Sequence, residues 1–469
     1  MTKNPVYADK ACDLLICNGY VMTLDAERRV FACGAVAITG NSIVAVGTDH
    51  DLATRFRPQR VIDAGGAPVH PGMIDPHLHT STHLCRTAFP DDPKVDASAL
   101  FAGWFNSVTD EDEYAQALVA AVEMVRNGFT AAMEPGTVFE PDVLVRAAEA
   151  VGVRISLSDP FIWDTTAGGN SMANTLKRAP ADPKRAQSLL GRQLWRNKDS
   201  SGRIHAHVAV YGSGSATEAL ELEGKRVADA NHVVFNQHQN FMPQQTAMDD
   251  RRFGGKHALV HFAEIGLLAP NCSFTHLNIL RDDEIEPIVK SGMSVVWQPG
   301  NYQYYGIAQH QRSRMVELIE AGVNVSLCVD AAKIWTFGDI ARIAYLVARQ
   351  CGGYLSAEQL MEMQTIRAAR CLGLESLIGS LEPGKRADIV IRSNALAEAQ
   401  PNLNAVIQLM LLSLSRSVDT VICNGEIIFR HGTFTRIDEQ HVYRLSQQSV
   451  TRMLDHLGIA PKTSWPVIT

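Results

Sequence analysis

Short apolar runs separated by turn residues open the chain. Between positions 13 and 62 they include LLICNGYVMTL, GAVAITGNSIVAVG and RVIDAGG. Such runs, bounded by Gly and Asn, predict β-strands joined by hairpins. The same texture returns near the other end, in LEPGKRADIVIRS and DTVICNGEIIFRHGTF. Both ends of the chain are therefore predicted to build one small β domain.

Between positions 69 and about 375 the pattern changes. Short apolar runs here alternate with longer helix-like segments, and they include FTAAMEPG, IHAHVAVYG, VVFNQHQN, CSFTHLN, MSVVWQPG and VSLCVDAA. Alternating strands and helices predict a parallel α/β fold. A segment at 164–201, rich in Gly, Asn, Lys and Arg, interrupts the alternation. It fits either an active-site cover or a solvated loop.

Composition narrows the class of protein. The chain has 469 residues, of which 46% are hydrophobic and 20% charged, which is typical of a globular protein. A net charge of −7 offers no basic face for nucleic acid or anionic membrane. The start lacks a basic stretch followed by an apolar core, so we expect a cytoplasmic location. The apolar stretch 403–414 is too short to cross a bilayer. A small-molecule substrate is expected.

Nine cysteines are scattered along the chain, with no C-x-x-C pair. This odd number and spacing predict reduced, buried thiols without a role as nucleophile.

The strongest local motif is the stretch Gly72–His79, with the sequence GMIDPHLH. An apolar strand here ends in two histidines separated by one residue, and residues i and i+2 of a strand face the same side. Both imidazoles can therefore point at one metal ion. The pair H-x-H is common by itself, but the preceding PGMID makes the motif more specific.

With this motif and the closing segments LEPGKRADIVI and VICNGEIIF, the chain resembles the amidohydrolase superfamily over nearly its whole length. It is most similar to the branch with cytosine deaminases, chlorotriazine hydrolases, phenylurea hydrolases and molinate hydrolase. The resemblance implies a (β/α)₈ TIM barrel with a small composite β-sandwich domain built from both chain ends. The expected divisions are the sandwich in 1–68 and 376–438, the barrel in 69–375, and a helical extension in 439–469. Relatives commonly form homo-oligomers, and we expect the same here.

The resemblance also implies a metal site at the ends of the barrel strands. His77 and His79 match the first-strand ligands, His238 the fifth-strand ligand and Asp330 the eighth-strand aspartate, while His276 matches the sixth-strand histidine. No lysine ends the intervening strands, so one divalent ion is expected, with zinc as the default and cobalt, manganese or iron as alternatives. In the mechanism this implies, Asp330 takes a proton from a metal-activated water, and His276 stabilises the developing oxyanion.

Three departures from the family pattern bear on the substrate. Phe241 stands three residues after His238, where the family's deaminases carry a proton-shuttling glutamate. Asn236 replaces a frequent second histidine, and Ala331–Lys333 replaces a glycine-containing turn. These departures favour hydrolysis of the C–N (or C–S) bond of an amide, urea or (thio)carbamate, such as a phenylurea or molinate-like compound.

Two other functions stay open. One is a deaminase or dechlorinase of a nitrogen heterocycle of the s-triazine, pyrimidine or purine type, with Glu134 replacing the missing glutamate. The other is a non-catalytic assembly partner, against which the complete ligand set argues. The predicted substrate contacts are Asn301, Tyr302, Trp335, Phe241 and Glu134.

Overall fold

The computed structural model describes residues 10–88, 98–331, 334–413, 415–460, 463 and 465–468. The strands are β1 (Lys10–Met22), β2 (Val30–Thr39), β3 (Ser42–Thr48), β4 (Phe56–Asp63), β5 (Pro68–Pro71), β6 (Met73–Asp75), β7 (Phe129–Met133), β8 (Arg154–Leu157), β9 (Ile204–Ala206), β10 (Val208–Gly212), β11 (Phe235–Gln239), β12 (Cys272–His276), β13 (Ser294–Trp297), β14 (Asn324–Leu327), β15 (Ile389–Arg392), β16 (Val418–Cys423), β17 (Glu426–Arg430) and β18 (Thr433–Phe434).

The α-helices are α1 (Asp49–Arg55), α2 (Ser98–Ser107), α3 (Asp110–Arg126), α4 (Pro141–Val151), α5 (Ser171–Thr175), α6 (Pro183–Leu189), α7 (Glu218–Ala230), α8 (Pro243–Arg252), α9 (Ala258–Glu264), α10 (Asp282–Ser291), α11 (Pro299–Tyr304), α12 (Met315–Glu320), α13 (Ile340–Gln350), α14 (Ala357–Met363), α15 (Ile366–Cys371), α16 (Ala405–Gln408) and α17 (Glu439–Leu457). Short 3₁₀ helices lie at Thr80–Cys85, Arg192–Lys198, Ile307–Gln309 and Ala397–Ala399, and one π-helical turn at Leu409–Ser413.

Both chain ends contribute to one nine-stranded sheet. Its order is β18-β17-β16-β15-β5-β1-β2-β3, and β4 pairs with β1. Strand β5 joins the two ends, because it runs antiparallel to β15 and parallel to β1. Ile16 and Val36 share a hydrophobic cluster with Ile389 and Ile422 from the distant segment. The predicted composite β domain is confirmed.

Parallel strands form the second part of the molecule, in the two arcs β6-β7-β8-β9 and β10-β11-β12-β13-β14. The two arcs meet where β9 passes into β10. There the N–H of His207 donates to the carbonyl of Leu157, at the end of β8, at 3.0 Å. The next N–H, of Val208, donates to the carbonyl of Val234, just before β11, at 3.0 Å. At the other side the N–H of Asp330 donates to the carbonyl of His77 at 3.0 Å. This arrangement is the predicted (β/α)₈ fold.

The strands of the barrel place their carboxyl ends on one rim, where the strand-end side chains meet. The apolar positions of these strands, such as Leu157, Phe235 and Phe274, lie in one cluster with helix residues such as Leu144 and Ile288. Because successive side chains of a strand point to opposite faces, the alternate positions face the barrel interior.

The last helix, α17, packs against α3. Ser449 donates a hydrogen bond of 2.7 Å to Asp112, and Arg452 pairs with the same carboxylate. All nine cysteines are free, and seven of them are buried. Within the described residues, no helix combines the length and the apolar character that a membrane crossing requires. The four domain divisions remain predictions.

Candidate metal centre

Three histidines converge at the barrel rim. The Nε2 atom of His79 lies 3.1 Å from Nε2 of His77 and 3.2 Å from Nε2 of His238. His77 and His79 follow β6, and His238 lies on β11. All three are buried. Of the described side chains, these form the group whose ligand atoms lie close enough together to hold an ion.

The outer nitrogen of each ring has a hydrogen-bond partner. Nδ1 of His77 lies 2.9 Å from the hydroxyl of Thr275, and Nδ1 of His79 lies 2.8 Å from the hydroxyl of Thr137. Nδ1 of His238 lies 2.8 Å from the backbone carbonyl of Tyr211, which can only accept. His238 must therefore carry its hydrogen on Nδ1 when neutral, and its Nε2 lone pair is directed toward Nε2 of His79.

The spacing of these nitrogens fits a divalent metal. Ligand nitrogens at about 2.0–2.1 Å from a tetrahedral zinc ion lie about 3.3 Å from each other, and the observed separations are 3.1 and 3.2 Å. Asp330 lies beside this group, with its Oδ1 atom 3.1 Å from Nε2 of His79 and 3.8 Å from Nε2 of His77.

Burial and neighbouring charges shift the pKa values of three residues of the site. Burial, together with the neighbouring histidines, lowers the pKa of His77 and His238 well below the ordinary imidazole value. Burial alone would raise the pKa of Asp330, but the neighbouring His79, His276 and His77 hold it well below its usual range. Neutral His77 and His238 side chains and an ionised Asp330 carboxylate are the protonation states that metal ligation requires.

Asp330 is held in place by neighbours on both sides. Its φ is +61°, a left-handed conformation that is uncommon for a residue other than glycine. The side-chain amide of Asn301 donates to its Oδ2 atom, which leaves Oδ1 facing the histidines. Asp75 links the segment after β6 to the segment after β14. Its carboxylate accepts the backbone N–H of His77 at 3.0 Å and the backbone N–H of Val329 at 2.8 Å.

A cavity of about 220 Å³ opens above the histidines. Its described lining comprises His79, Thr82, Phe101, Phe105, Thr137, Gly169, Asn170, Met172, Tyr211, Ser213, His238, Phe241, Gln245, His276, Tyr305, Asp330 and Ala331. Among these residues Asp330 is the one carboxylate, and lysine and arginine are absent. His276 lies on the wall with its ring stacked on Phe241, the ring centroids being 4.3 Å apart.

The predicted substrate contacts divide into two groups. Phe241 lines the cavity, whereas Asn301, Tyr302, Trp335 and Glu134 are absent from its wall. Asn301 binds Asp330 instead. Tyr302 donates its hydroxyl to the carbonyl of Gln311 at 2.6 Å, and the indole N–H of Trp335 donates to the carbonyl of Val329 at 2.9 Å. These two aromatic side chains therefore pack the loops behind the site, because their polar ends already have partners there.

Glu134 lies behind the metal ligands. Its carboxylate accepts the backbone N–H groups of Gly136 and Thr137, each at 2.8 Å, and the hydroxyl of Thr137. Burial raises the pKa of Glu134, while the hydrogen bond from Thr137 and the proximity of His79 act in the opposite direction. Glu134 is thus connected to the site through Thr137, and it does not occupy the position of the missing deaminase glutamate.

Several wall residues were not predicted. Phe101 and Phe105 come from α2, and Asn170 and Met172 come from the 164–201 segment. The composition of that segment fits either a cover or a solvated loop, and three of its residues line the cavity, which favours the first. Asn236 is buried below His238, where its amide N–H donates to the carbonyl of Ser273 at 2.5 Å. Lys333 lies outside the described residues.

Comparison with known proteins decides the family. A model of the amidohydrolase family matches residues 69–428 of the chain. The chain belongs to the amidohydrolase family. This amidohydrolase is 28% identical to a 5-methylthioadenosine/S-adenosylhomocysteine deaminase of Syntrophobacter fumaroxidans over 89% of its own length and 92% of the relative's. It is 25% identical to a 5'-deoxyadenosine deaminase of Methanosarcina mazei, over 94% and 98% of the two chains.

Solved structures share the fold of this amidohydrolase. An adenosine deaminase of Xanthomonas campestris with bound zinc superimposes with a TM-score of 0.84 at 23% identity, covering 95% of this chain and 99% of the other. Atrazine chlorohydrolase of Arthrobacter aurescens, complexed with zinc, gives a TM-score of 0.78 at 21% identity, covering 94% and 100%. The expected family and fold are confirmed. Among the activities considered, these names match heterocycle deamination or dechlorination more than urea or carbamate hydrolysis.

Proposed function

We propose that this amidohydrolase binds one divalent metal ion, zinc in the first instance, and hydrolyses the C–N (or C–S) bond of a small amide, urea or (thio)carbamate. The observation that carries the proposal is the cavity wall around Phe241. By the family resemblance, Phe241 stands where the deaminases carry their acid, and among the described wall residues Asp330 is the one carboxylate. Cleavage at a carbonyl carbon requires no further acid, whereas deamination of an aromatic ring requires a proton on a ring nitrogen.

The donor set suits a metal that makes water acidic and polarises a carbonyl oxygen. His77, His79 and His238 would hold that metal. The Asp330 carboxylate, on the cavity wall, would serve as the proton acceptor for the attacking water and as the proton donor to the departing nitrogen. His276, on the same wall, is placed to donate a hydrogen bond to the carbonyl oxygen as negative charge develops there.

The rest of the wall favours a substrate with a flat or apolar substituent. Phe101, Phe105, Phe241 and Tyr305 contribute rings, and Met172 contributes an adaptable apolar side chain. Aromatic walls of this kind bind apolar groups by burial and by ring stacking. An N-aryl urea, an anilide or a cyclic thiocarbamate has the required combination of an apolar group and a reactive carbonyl.

A second candidate function is deamination or dechlorination of a nitrogen heterocycle. The comparisons favour it, since the relatives named above are nucleoside deaminases and a structure of the same fold is a chlorohydrolase. The position of Glu134 weighs against it. The Glu134 carboxylate lies behind Thr137 and is not part of the cavity wall. It therefore does not replace the acid that is missing at position 241.

The test is a product screen with zinc-loaded protein. N-aryl ureas, anilides and thiocarbamates are compared with 5'-substituted adenosines and with aminated or chlorinated triazines. Release of amine or thiol from the first set supports the proposal. Release of ammonia or chloride from the second set, with none from the first, would establish the second candidate instead. Protein stripped of metal is the control for both sets.

A further inference from the structure

A tight turn after β7 surrounds the Glu134 carboxylate with donors. The N–H groups of Gly136 and Thr137 and the hydroxyl of Thr137 all point at it. Gly136 has a φ of +84°, and a Cβ atom there would lie 2.7 Å from the carbonyl oxygen of Asp159, so this turn requires glycine. The turn thereby fixes the position of a fully buried carboxylate next to a metal ligand.

The hydrogen bonds of Thr137 determine which nitrogen of His79 carries a proton. A threonine hydroxyl has one hydrogen, and that hydrogen is donated to Glu134. The oxygen of Thr137 is then an acceptor toward Nδ1 of His79, 2.8 Å away. Nδ1 must therefore carry the hydrogen, and the lone pair of Nε2 is left to face His77 and His238.

From this chain of contacts we propose that Glu134 and Thr137 are positioning residues, which hold His79 in the tautomer that binds the metal. His238 needs no such device, because its Nδ1 faces the backbone carbonyl of Tyr211, which accepts but cannot donate. A hydroxyl without a committed proton could donate to Nδ1 of His79 and place the hydrogen on Nε2 instead, which removes the ligand atom. Partners of this kind commonly change metal affinity about 10–100-fold.

The experiment measures zinc affinity of the metal-free protein by chelator competition. Thr137→Val removes the hydroxyl at nearly constant volume, and we expect zinc binding to weaken about 10–100-fold. Thr137→Ser keeps the hydroxyl and is expected to restore the wild-type affinity. Glu134→Gln, whose amide can donate to Thr137 and reverse the hydrogen-bond direction, is expected to weaken binding as well. Thr365→Val is the matched control, since that buried hydroxyl donates to Met361, away from the site.

A second readout reports the tautomer itself. Long-range ¹⁵N–¹H correlation spectra of metal-free protein labelled at histidine are expected to show Nδ1–H for His79 in the wild type. In Thr137→Val we expect a mixture that contains Nε2–H. The inference concerns metal binding and not the choice of substrate, so both readouts are independent of turnover and of the proposed reaction.

Three results would overturn the inference. The first is wild-type zinc affinity in Thr137→Val and Glu134→Gln. The second is an equal loss in Thr137→Val and Thr137→Ser, which would make volume and not the hydroxyl the cause. The third is an equal loss in Thr365→Val, which would indicate general destabilisation.

Discussion

Replacing Phe241 by glutamate places an acid where the family resemblance implies that deaminases carry one. The Phe241 ring lies 4.3 Å from the His276 ring and 5.3 Å from the Tyr305 ring, on the wall of the cavity. A carboxylate at that position would lie on the cavity wall beside His276. Phe241→Gln is the matched control, because its side chain has the same length and polarity but cannot carry the proton.

The expected magnitude follows from what a positioned acid contributes. General acid catalysis accelerates a step by about 10²–10⁴-fold, so ammonia release from an aminated heterocycle should be at least about 100-fold faster in Phe241→Glu than in Phe241→Gln. A carboxylate about 4 Å from a protonated partner gains about 4 kcal/mol at an effective dielectric constant of 20, which is sufficient to support that difference. Loss of the ring contact, worth about 1 kcal/mol, should weaken the use of an aryl substrate about fivefold in both variants.

The assay compares kcat/KM for ammonia release and for arylamine release in the wild type and both variants, at equal zinc content. The reasoning predicts that ammonia release separates glutamate from glutamine while arylamine release falls equally in both. If Phe241→Glu and Phe241→Gln released ammonia at the same rate, the absence of an acid at this position would not be what limits deamination.

Three further predictions concern the base, the metal and the buried acids. Asp330→Asn should lower kcat about 10²–10⁴-fold in protein with wild-type zinc content, because the amide cannot accept the proton; full turnover would refute its role as base. Chelation should lower the midpoint of thermal unfolding, and each tenfold excess of free zinc over its Kd should add about 1.4 kcal/mol of stability; a midpoint independent of zinc would argue against a bound ion. Burial raises the pKa of Glu221 from 4.5 to about 8, with Arg252 opposing this shift. The folded protein then binds a proton that the unfolded chain releases, so stability should fall as pH rises from 4.5 to 8, by up to about 1.4 kcal/mol per unit. Denaturant unfolding of Glu221→Gln should show a flatter dependence over this range, and equal slopes would contradict the shift.

The barrel and its ligand-bearing strand ends were predictable because both depend on short-range patterns. An apolar run that stops at His238 or at Asp330 indicates a strand end, and parallel strands place their ends on one rim. The composite sheet was predictable for the same reason, since the runs at both ends alternate in the manner of hairpins. Which strands pair, such as β5 with β15, depends on contacts between residues more than 300 positions apart and was not predictable from either run.

The cavity wall was much less predictable than the ligands. A residue directly after a strand has no fixed direction, because the loop that follows decides where it points. Tyr302 and Trp335 turn to backbone carbonyls behind the site, and Asn301 turns to Asp330. Phe105 lines the cavity from α2, a helix that begins about 20 residues after the ligand motif. No local pattern marks that helix as part of the site.

Titration of metal-free protein with zinc, while arylamine release from an N-aryl urea is followed, tests the central claim most directly. The account predicts that activity rises linearly and saturates at about one zinc ion per chain, with arylamine and no ammonia among the products. Saturation at two ions, activity that does not depend on zinc, or ammonia release from an aminated heterocycle with an inert urea would contradict it.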